Sequence, residues 1–437
     1  MGFAMSRQGL RLFQSIRTLA ACALLAAPLA LLAQQQLSLP PNLPDPLTFL
    51  DGTPVRNAQD WARRRQEIRQ IFTEQMYGRM PDAPRKPRFK VIDRDTHALG
   101  GLATREQVTI ELTAEKRGPT MNLLVYIPNG VTRPAVILGL NFWGNETIST
   151  DPGIRITNRW VESDRNSFID LSCVKDNRAT QACRGIDARR WPVEKILRAG
   201  YALATAYRGD IDPDRPEMFS QSVRASFPQL QQGDDNFSAI GAWAWSLSRA
   251  MDYLVRDSRV DGTRVAVFGW SRLGKAATWA AATDPRFAAL ISNESGAGGV
   301  KLFHHLQGET IERLNTHFPH WYCKNFRQYI GKEATLPFDQ NMVLALVAPR
   351  PVYIASAIDD RLADPQGEFL DAKAVTRVYR FLGTTGLPDV PWPAVNQPIL
   401  ARVSYHVRTG AHNVTDYDWE QYLKFCDQYL KPAQGRP

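Results

Sequence analysis

The stretch that most constrains this chain reads Arg264-Val265-Ala266-Val267-Phe268-Gly269-Trp270-Ser271-Arg272-Leu273-Gly274-Lys275-Ala276-Ala277. Residues 264–268 are a short apolar run that leads into a glycine, the pattern of a buried parallel strand. Beyond the serine, Ala276, Ala277, Ala280, Ala281 and Ala282 are strong helix formers, and Asp284-Pro285 closes the segment. The stretch therefore reads as strand, tight turn and helix, with Ser271 at the apex. A serine held there is exposed, and the helix start beside it offers backbone N–H groups to a developing oxyanion.

The usual nucleophile elbow is Gly-x-Ser-x-Gly. Here the second glycine comes one residue late, at Gly274. The competing reading is a serine N-cap on an ordinary strand-to-helix turn. That reading leaves Arg272 unexplained, because helix starts favour Asp or Glu. Arg272 and Lys275 both lie near the positive end of the helix dipole, where cations are unfavourable unless something anionic is bound or formed nearby.

Strands and helices alternate around this unit. A helix is expected over residues 60–76, from the spacing of Trp61, Ile68, Ile71, Phe72 and Met76, with Arg63 to Arg65 on the wet face. Strands are expected at 88–93, 107–113, 122–127, 134–140, 201–207, 264–268, 287–291, 350–357 and 401–407. Further helices are expected at 191–199, 240–255, 372–382 and 417–430, with a mixed helix-and-loop region at 302–329. Alternation with apolar strands argues a mostly parallel sheet with helices on both faces, a three-layer αβα sandwich. Residues 146–190 and 212–235 are long insertions without clear periodicity, and such loops usually form lids or rims of a functional site. No repeat or second-domain linker is visible, so 34–437 is expected to be one catalytic domain of the α/β-hydrolase fold with active-site insertions.

Residues 1–33 read as a secretory signal: Arg7, Arg11 and Arg17 precede an apolar run, 19–32, that is too short to span a membrane. Its removal lowers the formal net charge from +9 by three, to +6. The remaining charges are interspersed, which suits an acidic polymer better than a nucleic acid. An exported location, periplasmic or secreted, permits oxidation, and Cys173 and Cys183 are close enough in sequence to staple one insertion. Cys426 lies in a helical pattern and reads as a buried thiol. No metal-ligand spacing is present; His304-His305 are adjacent and do not converge on one ion.

A serine nucleophile needs a base, and the base needs an orienting acid. The chain order expected is serine, acid, histidine. His412, in Gly410-Ala411-His412-Asn413 just past the last strand, fits the base; His406 lies inside the strand and reads as scaffold. Two positions fit the acid. Asp359 or Asp360 follows the second strand after the elbow strand, and Glu294 follows the first; topology alone favours Asp360 slightly. The loop Asn141-Phe142-Trp143-Gly144 follows an apolar strand and is a candidate source of an oxyanion N–H.

The segments around Ser271, Glu294 and His412, with Tyr77-Gly78-Arg79-Met80-Pro81 and Asp364-Pro365-Gln366-Gly367-Glu368-Phe369, resemble the bacterial glucuronoyl esterases of carbohydrate esterase family 15 over nearly all of the mature chain. The Ser-Arg-x-x-Lys spacing is the most specific of these features. The resemblance implies a serine esterase acting through an acyl-enzyme on esters of 4-O-methyl-glucuronic acid, as between glucuronoxylan and lignin, without a metal or other cofactor. It implies Ser271 as nucleophile, His412 as base, Glu294 as acid with Asp360 as the alternative, and Arg272 stabilising the oxyanion. Lys275 and Glu309 would hold sugar hydroxyls. Two departures stand out. Trp270 replaces the cysteine that precedes the serine in fungal members, and Leu362 stands near the point where many relatives carry a sugar-stacking tryptophan. Trp321 or Trp143 would then supply the stacking. The partner expected is a glucuronoxylan or lignin–carbohydrate ester and neither nucleic acid nor membrane, and a monomer is expected. The alternatives are an acetylxylan esterase or general carboxylesterase, for which Arg272 and Lys275 would be superfluous, a serine peptidase, for which too few residues precede the serine to build the usual propeller, and a catalytically dead carbohydrate-binding scaffold.

Overall fold

The computed structural model describes residues 36–115, 118–163 and 168–431, all within one unit, Gln35–Pro437. The leader-like residues 1–33 fall outside the described residues. Chain order is α1 (Ala58–Phe72), β1 (Arg88–Ala98), β2 (Ala103–Glu111), β3 (Thr120–Pro128), β4 (Val136–Asn141), α2 (Val193–Arg198), β5 (Ala202–Tyr207), α3 (Ala239–Leu254), β6 (Val265–Trp270), α4 (Arg272–Thr283), β7 (Ala289–Asn293), α5 (Ile311–His317), α6 (Gln340–Val347), β8 (Val352–Ala357), α7 (Pro365–Phe381), β9 (Val403–Arg408) and α8 (Asp416–Tyr429).

The strands form one sheet in the order β1-β2-β3-β5-β4-β6-β7-β8-β9. The β1–β2, β2–β3 and β3–β5 pairs are antiparallel, and every pair from β5 to β9 is parallel. This is the α/β-hydrolase arrangement expected from the sequence. The parallel strands β4 to β9 are buried along their whole length, because helices cover both faces, whereas β1 leaves half of its residues to solvent. The alanines of α4 let it pack closely on β6 and α3, and Trp279 stacks on Tyr77 at 4.3 Å. That contact brings the chain after α1 against the helix that carries the candidate nucleophile.

Three departures from the sequence reading have local causes. Helix α6 has no counterpart in the sequence pattern: all eight of its residues are buried, so it has no polar face to produce a helical period, and Asp339 caps it. Helix α7 starts at Pro365, seven residues before the expected 372, because the Asp364 side chain accepts the Gly367 N–H at 3.0 Å and proline suits the first helical turn. Arg64 is not on the wet face of α1; it is 3% exposed, donates to the Pro46 carbonyl and pairs with Glu67. Cys173 and Cys183 are bonded to each other, and Cys323 and Cys426 are buried free thiols. No helix among the described residues is long and apolar enough to cross a membrane.

Candidate active site

Ser271 sits between β6 and α4 with φ 58° and ψ −131°. This sparsely populated backbone region costs about 1–3 kcal/mol and persists only where the surroundings impose it. Two hydrogen bonds do so: the Ser271 N–H donates to the Asn293 carbonyl at 2.9 Å, and its carbonyl accepts the Lys275 N–H at 3.1 Å. The displaced glycine also has a physical reason. A Cβ at Gly269 would lie 2.1 Å from the Leu273 carbonyl oxygen, and one at Gly274 would lie 2.8 Å from the Ser295 Cβ. Gly274 is thus placed by the close passage of α4 against the chain leaving β7.

Asn293, the last residue of β7, ties the serine to the histidine loop. It accepts from Ser271, and its amide donates to the Asn413 carbonyl at 3.0 Å. His412 lies in that loop, beyond β9. Its Nδ1 is 2.5 Å from Asp360 Oδ2 and 3.1 Å from Glu294 Oε2, so both candidate acids converge on one nitrogen. Nε2 is left for the serine side. Asp359 is exposed and uses its backbone N–H on the Gly410 carbonyl. His406 is fully buried scaffold between the Tyr353 hydroxyl and Asp418.

The two acids are held differently. Glu294 takes an ion pair from Arg408 and the Asn413 N–H at 2.9 Å, and it has φ 45°. Burial pushes its carboxyl up to about 7, against the pull of His412 and Arg408. Burial also opposes ionisation of Asp360, but the hydrogen bond and charge of His412 outweigh it and hold Asp360 below the usual carboxylate range. Asp360 is therefore the acid that stays ionised, and of the two acids Glu294 is the first to be protonated as pH falls. His412 is lowered by burial but raised more by the two acids, to about 9. A histidine that accepts the serine proton must first be unprotonated, so with His412 in that role the acid limb of kcat/KM is expected on the alkaline side of the ordinary histidine value. Glu294→Gln removes one stabiliser of the imidazolium, so a pH–rate series should show the limb moving to lower pH.

Among the described residues Glu294, Asp360 and His412 are also the one group of three such side chains whose ligand atoms lie within 4.8 Å of one another. Arg408 and the Asn413 N–H already answer the carboxylate charge there, which suits an acid–base set better than a metal centre.

Arg272 opens α4 beside the serine. Its guanidinium pairs with Asp214 and lies 4.8 Å from the Trp321 ring centre. Asp214 also accepts from His320 at 2.9 Å and Trp321 Nε1 at 2.7 Å, and it pairs with Arg208 at 3.1 Å. Burial alone would raise this carboxyl, but Arg272 and Arg208 hold it far below its ordinary range. Asp214 is thus shared between two guanidiniums, Arg208 also lying 4.0 Å from Glu162, and Arg272 Nε has no hydrogen-bond partner. Trp321 is not an open stacking platform. It is 2% exposed, stacked on Phe318 at 3.7 Å, with its N–H spent on Asp214. It shapes the Arg272 site from beneath. Trp143 is likewise 2% exposed and offers no sugar face. Phe168 and Leu362 are exposed apolar side chains, the Phe168 ring 5.4 Å from that of His412 and the Leu362 carbonyl 2.9 Å from the Glu309 N–H.

Lys275 is buried, and its ammonium donates to Ser295 and Ala297 carbonyls at 2.8 and 2.7 Å and to Glu309 Oε2 at 2.7 Å. All three donors are used, so the expectation that it meets sugar hydroxyls directly is revised: Lys275 fixes Glu309, whose backbone N–H is held by the Leu362 carbonyl at 2.9 Å. In the loop after β4, the Asn141 side chain accepts the Gly144 N–H at 3.0 Å and donates to Asn145 Oδ1 at 2.7 Å. The Gly144 N–H is therefore committed to shaping the loop.

The sequence reading missed Asp214, Arg208 and Arg408. Asp214 lies in an insertion with no periodicity to read. Arg208 and Arg408 each end or follow an apolar strand, and an arginine at the carboxyl end of a buried parallel strand is the signal that could have found them.

The family description "glucuronyl esterase, fungi" matches residues 199–383, which contain Ser271, Glu294 and Asp360. The chain is 45% identical over 394 residues to the carbohydrate esterase MZ0003 of an unknown prokaryotic organism, covering 89% of this chain and 90% of that one. It is 26% identical over 355 residues to a 4-O-methyl-glucuronoyl methylesterase of Schizophyllum commune, covering 78% and 74%. The solved glucuronoyl esterase of Solibacter usitatus superposes with a TM-score of 0.82 at 42% identity, covering 89% of this chain and 98% of that one.

Proposed function

The chain belongs to carbohydrate esterase family 15, the glucuronoyl esterases, and we propose that Ser271, His412 and the Asp360–Glu294 pair carry its reaction. The protein is a carboxylic ester hydrolase that acts on esters of glucuronic acid. In the proposed mechanism His412 Nε2 takes the Ser271 hydroxyl proton as Oγ attacks the ester carbonyl. The carbonyl oxygen becomes an oxyanion beside Arg272. The ester C–O bond breaks, the alcohol leaves with the proton from His412, and water then cleaves the acyl-enzyme by the same steps. Asp360 holds the Nδ1 proton and stabilises the imidazolium. A charged donor at the oxyanion is the stronger kind of hydrogen bond, and one such donor contributes about 3–4 kcal/mol to lowering the barrier.

The observation that carries this reading is the convergence of both acids on His412 Nδ1, in a loop stitched through Asn293 to the strained Ser271. Glu309, set by Lys275, is proposed as the acceptor for a hydroxyl of the glucuronate ring. Glu309→Gln should raise KM about tenfold with a smaller fall in kcat, read from Michaelis curves on benzyl glucuronate. Export of the mature chain and a lignin–xylan ester as the natural substrate complete the proposal; the Arg-rich, apolar leader pattern and the Arg272 guanidinium beside Ser271 support them. Comparison of benzyl glucuronate with an acetyl ester tests it. Strong preference for the glucuronate is expected. Preference for acetate would leave a serine esterase of other acyl specificity.

A further inference from the structure

The segment Asp364-Pro365-Gln366-Gly367-Glu368-Phe369 supplies the cap of α7 through Asp364 and a second carboxyl, Glu368, fully buried in the first turn of that helix. The two oxygens of Glu368 reach two different parts of the chain. Oε1 accepts the Gly296 N–H at 3.0 Å, and Oε2 lies 2.6 Å from Ser356 Oγ. Gly296 is two residues past Glu294, and Ser356 is four residues before Asp360.

This bridge stands where the sheet stops holding the two acids. The ladder between β7 and β8 ends at the Asn293–Ala355 pair, with one further bond from the Glu294 N–H to the Ala355 carbonyl at 2.7 Å. Just beyond it, Glu368 ties the chain that carries Glu294 to the chain that leads to Asp360. The turn after β7 serves Glu309 as well. Gly296 stands between Ser295 and Ala297, whose carbonyls accept from Lys275, and a Cβ on Gly296 would lie 2.8 Å from Glu309 Oε2.

A carboxylate in this place has no counter-charge. Among the described residues no cation pairs with Glu368, and its titratable neighbours are Asp360, Glu294, Asp371 and the Tyr405 hydroxyl. Burial pushes the Glu368 carboxyl well above its ordinary range. The uncharged acid fits both contacts, with Oε1 accepting from Gly296 and the proton on Oε2 donated to Ser356 Oγ. We propose that Glu368 is a positioning residue of the ester-cleaving site: by bracing the turn after β7 against the end of β8, it sets Glu294 and Asp360 on His412 and fixes the carbonyls that hold Lys275. This role presupposes the assignment of Ser271, His412 and the two acids made above.

The test is kcat, KM and the acid limb of kcat/KM on benzyl glucuronate for wild type, Ser271→Ala, Glu368→Ala, Glu368→Gln and Ser356→Ala. In Glu368→Ala, kcat should fall about tenfold and KM rise about threefold. The acid limb should move to lower pH, because displaced acids stabilise the His412 imidazolium less. Glu368→Gln keeps one acceptor and one donor in the same places, so it should recover kcat and KM to within about twofold of wild type and restore the limb. Ser356→Ala releases only the β8 end and serves if Glu368→Ala does not fold; it should lower kcat about fivefold and move the limb the same way, with KM unchanged. An unmoved limb in both alanine variants, whatever the fall in kcat, would mark a fold contact alone and overturns the proposal. A loss in Glu368→Gln equal to that in Glu368→Ala overturns it too. Turnover retained in Ser271→Ala overturns the nucleophile assignment, and this role with it.

Discussion

Ser271→Ala is expected to lower kcat on benzyl glucuronate by about 100,000-fold while leaving KM within about twofold. The size of the loss follows from removing the atom that attacks, with the base left nothing to activate. The stability of KM follows from geometry: Glu309 and Lys275 hold each other one helical turn further along α4 and in the facing loop, and neither touches the serine side chain. The variant should also be about as stable as wild type. Alanine at φ 58° is no less strained than serine, but the Ser271 N–H to Asn293 bond that imposes the strain is a backbone contact and survives. A residual rate from Arg272 and substrate positioning remains.

The second large effect separates the two acids. In a triad with one acid, exchanging it for its amide costs about 10,000-fold, because the histidine is held in the wrong tautomer. Here Glu294 Oε2 waits 3.1 Å from the same nitrogen, so Asp360→Asn should cost only about 100-fold. Glu294→Gln should cost about tenfold, since Asp360 is nearer and is the carboxylate that stays ionised. The double variant should fall by about 10,000-fold, more than the product of the single losses, as expected when one acid substitutes for the other. Equal losses in the single variants would mean that the acid is shared evenly and that Asp360 has no priority.

Much of this site was legible because parallel α/β folds gather chemistry at the carboxyl ends of their strands. The apolar run before Gly269 placed Ser271, and the final strand placed His412; their chain order then restricted the acid to Glu294 or the Asp359–Asp360 pair. Asp360 is the expected member of that pair, and the turn after β8 buries it while leaving Asp359 exposed. Side-chain roles that depend on packing were hidden. Trp321 is a tryptophan in the right neighbourhood, yet it lies under Arg272 because Phe318 and Asp214 hold it there. Lys275 carries the right charge at the right spacing, but the carbonyls that accept its hydrogen bonds come from the turn after β7. Helix α6 escaped because a helix buried on every side carries no periodicity.

In the proposed mechanism the glucuronoyl group passes through an ester on Ser271. Rapid-quench mass spectrometry during turnover of benzyl glucuronate tests it most directly. A glucuronoyl adduct is expected on the peptide containing Ser271, with a burst of benzyl alcohol matching the enzyme concentration if deacylation is slower than acylation. No adduct on that peptide, together with turnover retained in Ser271→Ala, would contradict it.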